Sequence, residues 1–206
     1  MIEYYEGDCE DIRIDRINCH FDDVMGGLNA TASFLASDGV SNLHDKSMAE
    51  LQEVKSLISD NRISLFAIIE SQLRKKSVTP VCNALFGSWS WVSNIVNSRK
   101  GCRIIVGWDP FMLRARLISK IDQVMHFEVT ILHNQLKLFV FCIYAHDAVK
   151  DRRTLWKNLI DHKILASNSP WVLLGDFNVS LSFDESSNCF NTRDKGMMDL
   201  KNGFKI

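Results

Sequence analysis

PWVLLGDFN, residues 170–178, sets an apolar run directly before a carboxylate and an amide. Val172, Leu173 and Leu174 form a short apolar run bounded by Pro170 and Gly175, which fits a strand buried on both faces better than a solvated loop. The run then delivers Asp176 and Asn178 where such a strand leaves the core. In open α/β sheets, ligands gather beyond the carboxyl ends of the strands. A carboxylate and an amide at such an edge can bind a metal-phosphate substrate and orient a water. The same pair can equally close an Asx turn, with both side chains spent on backbone groups.

The design recurs upstream. Residues 63–69 are rich in Ile, Leu and Phe, read as a strand, and end in Glu70. LKLFVFCIY, residues 136–144, is another buried run and ends in the phenol of Tyr144. Ahead of the first run, Leu51, Val54, Leu57 and Ile58 recur at helical spacing from Met48 until Asp60 and Asn61 stop them, so a helix should pack one face on a sheet. FGSWSWVS, residues 86–93, alternates, with Phe86, Trp89 and Trp91 as packing residues, and residues 97–101 supply a polar turn. Residues 103–108, 114–119, 124–132 and 136–144 read as consecutive strands of a β meander, broken at Asp109-Pro110, Ile121-Asp122 and His133-Asn134. Residues 151–166 place Leu155, Leu159, Ile160 and Ile164 on one helical face, with Arg152 and Arg153 in the first turn.

Antiparallel strands with helices outside predict an α/β fold, a four-layer α/β sandwich of two mixed β-sheets flanked by helices. Past Asn178 the pattern fades. Residues 180–195 are polar, with Asp184, Glu185 and Asp194, and a short amphipathic stretch covers 197–204, so the sandwich is expected to be incomplete at the C-terminus.

At 206 residues and 46% hydrophobic, the chain can bury a full core. No apolar stretch approaches the roughly 18 to 20 residues that span a bilayer, and the acidic start lacks the pattern of a signal peptide, so a soluble, intracellular protein is expected. Six scattered cysteines (Cys9, Cys19, Cys82, Cys102, Cys142, Cys189) form no CxxC pair and read as reduced core thiols. The nearest approaches to a zinc site, Cys19 with His20 and Cys142 with His146, lack a matching second pair. Eight acids among residues 1–23 stand against Arg13 and Arg16, and with no sustained period there, residues 1–33 are expected to be an acidic flexible leader to a domain at 34–206. The remainder carries 22 Lys and Arg against 17 Asp and Glu, a modest balance compatible with a polyanionic ligand and equally with an ordinary solvated surface.

Three strand ends therefore present residues suited to phosphate chemistry: Glu70, Tyr144 and the Asp176/Asn178 pair. A carboxylate such as Glu70 can hold Mg²⁺, which takes only one or two protein carboxylates. Asp176 can orient or deprotonate a water, and Tyr144 can donate to a phosphate oxygen. Structural readings stand beside these: Glu70 as a turn cap, Tyr144 as a packed ring with a wetted hydroxyl. His126, His133 and His146 read as surface or packed histidines, and Trp89, Trp91 and Trp156 as core.

IIES at 68–71, IYAHD at 143–147, RRTLW at 152–156 and WVLLGDFN at 171–178 resemble, in order and spacing, the endonuclease/exonuclease/phosphatase superfamily. More narrowly, with SWSWVSN at 88–94, KGCRIIVGW at 100–108 and DQVMHFEV at 122–129, they look like the endonuclease region of plant LINE-type non-LTR retrotransposon polyproteins. The resemblance runs from about Phe34 onward and implies a Mg²⁺- or Mn²⁺-dependent DNA endonuclease that hydrolyses phosphodiesters by metal-assisted attack of water. Glu70 would be the metal-binding glutamate, Tyr144 the active-site tyrosine, Asp176 the residue that positions the water and Asn178 its companion at the phosphate. Its partner would be the DNA phosphate backbone, with no membrane and no obligate protein partner.

The departures are specific. Family members open with a WNVRGL-like motif; aligning LHDKS at 43–47 puts SDGVSNL, residues 37–43, on it, so that Asp38 replaces the Trp and Gly39 the Asn. Asp147 stands where these elements carry Asn, able to accept a hydrogen bond but adding charge beside a phosphate site. The family's late Ser-Asp-His motif has no counterpart, since no His follows His162. The expectation is a truncated, impaired remnant of such an endonuclease. A non-catalytic module with weak nucleic-acid binding and a phosphoesterase of the same fold are the alternatives.

Overall fold

The computed structural model describes residues 32–35, 48–98, 101–165 and 169–178. In chain order the elements are β1 (Ala32–Leu35), α1 (Met48–Asp60), β2 (Leu65–Ile69), α2 (Lys75–Phe86), β3 (Ser90–Ser93), β4 (Ile104–Trp108), β5 (Leu113–Lys120), β6 (Val124–Ile131), β7 (Leu136–Tyr144), α3 (Val149–Leu165) and β8 (Trp171–Asp176). They form two four-stranded sheets, ordered β1-β2-β4-β3 and β5-β6-β7-β8. Each is mixed: β1 runs parallel to β2 and β8 parallel to β7, while the other pairs are antiparallel.

Period-2 alternation sorts the side chains into layers. Leu65, Ala67 and Ile69 of β2, Ile104 and Val106 of β4, Met125, Phe127 and Val129 of β6, and Leu138, Val140 and Cys142 of β7 fill the space between the sheets. Phe66, Ile68 and Ile105 face the other way, against Leu51, Val54, Leu57 and Ile58 of α1 and Val78, Cys82, Leu85 and Phe86 of α2. On the far side, Val124, Phe141 and Ile143 meet Leu155, Trp156 and Leu159 of α3. The result is the expected helix-sheet-sheet-helix sandwich. At about 1.5–3 kcal/mol for each large apolar side chain fully buried, these three clusters supply the main drive to fold. Gly107 of β4 leaves room for a helix residue, because a Cβ there would overlap the Phe86 ring.

The structure corrects several sequence expectations. The meander is three strands, not four. β4 belongs to the first sheet, and the chain crosses to the second through Asp109–Met112, where Asp109 Oδ1 accepts the Phe111 N–H at 2.9 Å. Phe86 closes α2 rather than opening an alternating strand, and β3 starts only at Ser90. On α3, Leu155 and Leu159 are buried as expected, but Ile160 and Ile164 are exposed; Arg152 and Trp156 take the inward shoulder instead. In β8 only Leu174 is buried, with Val172 and Leu173 half-buried: among the described residues β8 has one hydrogen-bonded neighbour, β7. Residues 1–31 of the expected leader, the SDGVSNL segment with Asp38 and Gly39, and everything past Asn178 lie outside the described residues, while Ala32 and Ser33, the last two of the expected leader, open β1.

Cys82, Cys102 and Cys142 are buried free thiols, and burial raises the pKa of each, to about 12 for Cys82 and Cys142. No helix among the described residues is long and apolar enough to cross a membrane.

His126, fully buried on β6, is a packed histidine. Its Nε2 lies 2.6 Å from Asn158 Oδ1, and its ring stacks on His162 and meets Phe141 edge-on. Burial, and then the neighbouring His162, hold its pKa down to about 4. A base that titrates lower when folded takes up its proton more readily when unfolded. The stability it permits is complete above about pH 6.5 and is lost as pH falls toward 4. Between about pH 7 and pH 5 the chain should lose roughly 2 kcal/mol from this group, read as a lower urea midpoint, and His126→Gln should flatten that dependence.

Candidate active site

The carboxyl ends of β2, β7 and β8 and the amino end of β4 meet on one edge of the sandwich, because β4 runs antiparallel to β2 and faces β7 across the core. Each contributes its first polar residue beyond the apolar run.

The β2 end is built by a backbone turn. Glu70 and Gln72 both adopt left-handed φ, +55° and +49°, a conformation uncommon for residues with a Cβ. The turn is zipped onto the start of β4: Ser71 N–H donates to Arg103 O at 3.4 Å, Ser71 Oγ to Cys102 O at 2.9 Å, and Cys102 N–H to Leu73 O at 2.9 Å. Since Ile69 pairs with Ile104, the next residues, Glu70 and Arg103, stand opposite one another. Arg103 Nη1 lies 3.7 Å from Glu70 Oε1, and Gln72 Nε2 donates to the same oxygen at 3.2 Å.

Tyr144 ends β7 in the other sheet, yet its phenol lies near enough to Glu70 for that carboxylate to act on it. Burial, followed by the nearby Glu70 carboxylate, pushes the phenol far above its ordinary pKa, against the pull of Arg103. The hydroxyl is therefore a proton donor at any physiological pH. The charge of Asp147, on the loop just beyond β7, also acts on it. That loop is clamped by the buried Arg152, whose Nη1 donates to His146 O at 3.0 Å and Asp147 O at 2.7 Å. His146 itself pairs with Asp122 at 2.8 Å.

Asp176 stands beside Tyr144 in the parallel β7·β8 ladder. Its Oδ1 accepts the Asn178 N–H at 2.8 Å, so the Asx turn raised as the structural reading does form. Asn178, at φ +49°, donates from Nδ2 to Ala145 O at 2.6 Å, and Ala145 N–H donates to Asp176 O at 2.8 Å. The GDFN loop is thus stitched to the residue after Tyr144. Phe177 stacks parallel to Trp156 of α3. Gly175 is required twice over: its φ is +133°, and a Cβ would overlap the Ile143 carbonyl oxygen.

The structure therefore brings Glu70 near Tyr144, and joins Tyr144 to Asp176 and Asn178 through the strand ladder. The donors are carboxylate, amide and phenol oxygens, the chemistry a hard divalent cation takes. Among the described residues no three or more His, Cys, Asp or Glu cluster as a ready cage, and Mg²⁺ held by one or two carboxylates needs none.

Sequence reasoning passed over Arg103, Asn94 and Gln123. Arg103 could have been found by reversing the strand-end rule, since an antiparallel strand enters the edge where its neighbour leaves it. Asn94 and Gln123 carry no comparable signal.

No family model matches the sequence, and no curated protein matches it. Solved structures do match its fold. The endonuclease domain of TRAS1, a telomere-specific non-LTR retrotransposon, aligns at TM-score 0.57 and 10% identity over 84% of this chain and 68% of its own. The AP endonuclease LMAP of Leishmania major aligns at 0.60 and 8%, over 77% and 61%. An endonuclease/exonuclease/phosphatase family protein from Bacteroides thetaiotaomicron aligns at 0.52 and 12%, over 70% and 60%. The chain thus spans between 60% and 68% of these three and shares the endonuclease/exonuclease/phosphatase fold.

Gly175→Ala should lower the unfolding free energy by more than about 3 kcal/mol in urea titration, combining strain with backbone overlap. Gly87→Ala, at φ +58° and ψ −111° but in open space, should cost less, about 1–3 kcal/mol from backbone strain alone.

Proposed function

We propose that this chain is a metal-dependent phosphodiester hydrolase of non-LTR retrotransposon descent that acts on DNA. The observation carrying this reading is the meeting of Glu70, Tyr144 and the Asp176/Asn178 loop at the strand ends of a sandwich with the endonuclease/exonuclease/phosphatase fold. The likeness to the TRAS1 endonuclease domain, and the sequence resemblance to LINE endonuclease regions, support the choice of DNA and the descent.

Mg²⁺ or Mn²⁺ held by Glu70 would neutralise charge on the phosphodiester. Tyr144 keeps its proton and turns its O–H to a phosphate oxygen. Asp176 orients the attacking water and accepts its proton as the ester P–O bond breaks, and the leaving alkoxide takes a proton from solvent. Asn178, anchored on Ala145, fixes the loop that aims Asp176. Asp147 faces the same edge and accepts a hydrogen bond on the substrate side. The +5 balance of residues 24–206 attracts phosphates without reading bases.

A second reading, a non-catalytic nucleic-acid-binding module, is favoured by two observations. Asp176 already spends an oxygen on its Asx turn, and Gly39 stands where the resembled family carries Asn.

Nicking of supercoiled plasmid decides between them. The folded chain with Mg²⁺ should convert supercoiled to open-circular plasmid, and Asp176→Ala should slow this by about 10²-fold or more. A folded chain without Mg²⁺-dependent nicking, or with nicking that Asp176→Ala leaves intact, removes the hydrolase reading.

A further inference from the structure

The candidate site holds a cation of its own, and the hydrolysis described above makes no use of it. Arg103 is fixed at its backbone: its N–H donates to Asn94 Oδ1 at 3.0 Å and its carbonyl accepts from Ser71. Its guanidinium reaches over the Tyr144 ring, Cζ at 5.5 Å from the centroid, and stops 3.7 Å from Glu70 Oε1. That separation is an ion pair without a hydrogen bond. The Arg103 and Glu70 side chains keep 19% and 25% of their surface exposed, so water and ligands reach both. A loosely held, accessible guanidinium yields to a better anion at little cost. Its planar fork matches phosphate with two parallel N–H donors. Conversely, any divalent cation that settles on Glu70 must do so against the positive charge beside it.

We propose that Arg103 is the phosphate-binding residue of this site and rests on Glu70 as a counter-ion until a phosphate draws it away. The inference depends on Glu70 being the metal ligand of the proposed function. It makes phosphate and divalent cation mutually supporting: phosphate takes the Arg103 charge away from Glu70 and so makes that carboxylate a better ligand for the cation. Linkage requires the same factor in the other direction.

Two equilibrium measurements on the full chain test it without turnover. The first is binding of Mn²⁺ alone, followed by electron paramagnetic resonance. Arg103→Met should bind Mn²⁺ roughly fivefold more tightly than the parent chain. Lys120→Met removes another cation of this edge, one whose Nζ donates to Ser93 O at 3.0 Å, and should stay within roughly twofold. The second is binding of a labelled duplex oligonucleotide in EDTA, by fluorescence anisotropy across a salt series. Arg103→Met should bind more weakly and reduce the log-log salt slope by about one. Arg103→Lys, which keeps charge and stem but not the fork, should leave Mn²⁺ affinity near that of the parent while still weakening DNA binding.

An unchanged Mn²⁺ affinity in Arg103→Met, an equal gain in Lys120→Met, or an unchanged salt slope overturns the proposal. If the parent chain fails to nick plasmid while both Arg103→Met shifts appear, the hydrolase reading falls and this one stands. If the parent nicks and neither shift appears, this inference falls alone.

Discussion

The arrangement of the site depends on one buried amide. Asn94, fully buried in the loop after β3, accepts the N–H groups of Arg103 and Ile104 on Oδ1, at 3.0 and 2.9 Å, and so fixes where β4 begins. Its Nδ2 donates to Ile121 O and Asp122 O, at 3.3 and 2.8 Å, in the turn between β5 and β6. One side chain thereby ties the first sheet to the second at the edge that carries the candidate site. Gln123, also buried, continues the tie: its Oε1 accepts the His146 N–H, its Nε2 donates to Asp151 O, and its carbonyl accepts the Tyr144 N–H. Apolar packing between sheets is non-directional and tolerates sliding. Buried amides do not, because each unmatched donor or acceptor costs about 1–3 kcal/mol.

That registration lets side chains from different sheets share one site. Glu70 and Arg103 come from the first sheet, Tyr144 and Asp176 from the second. The Tyr144 hydroxyl reaches Glu70 only if the two sheet edges are held level. The left-handed turns at Glu70 and Asn178 are the local cost, strain that a well-tied surrounding can hold. Arg152 serves the same end from α3 by holding the two carbonyls of the loop that carries Asp147.

Much of this was legible in the sequence, for physical reasons that also mark its limit. A buried strand must be apolar, so the first polar residue after it announces the edge: Glu70, Tyr144 and Asp176 were found that way. Helix α1 was legible because Leu51, Val54, Leu57 and Ile58 keep one face. α2 carried a usable signal in Val78, Cys82, Leu85 and Phe86, yet Pro80 interrupts it and the aromatic alternation after Phe86 imitates a strand. Alternation is identical in either sheet, so nothing in IIVGW said that β4 and β5 part company. On α3, Leu155 and Leu159 set the stripe, but which shoulder is covered depends on neighbours. Phe177 sits against Trp156, and among the described residues no such partner covers Ile164, which is 74% exposed. Asn94 was illegible because its four side-chain hydrogen bonds go to residues up to 28 positions away.

The proposed function stands on Glu70, brought to Tyr144 and Asp176 by the tied sheets, serving as a metal ligand. Anomalous diffraction from crystals of the chain soaked with Mn²⁺ and a short duplex tests it most directly. One Mn²⁺ peak is expected within about 2.0–2.3 Å of a Glu70 carboxylate oxygen, with the Arg103 guanidinium turned from Glu70 to a phosphate. A peak elsewhere, or Glu70 still paired with Arg103 and no metal beside it, would rule out Glu70 as the metal ligand.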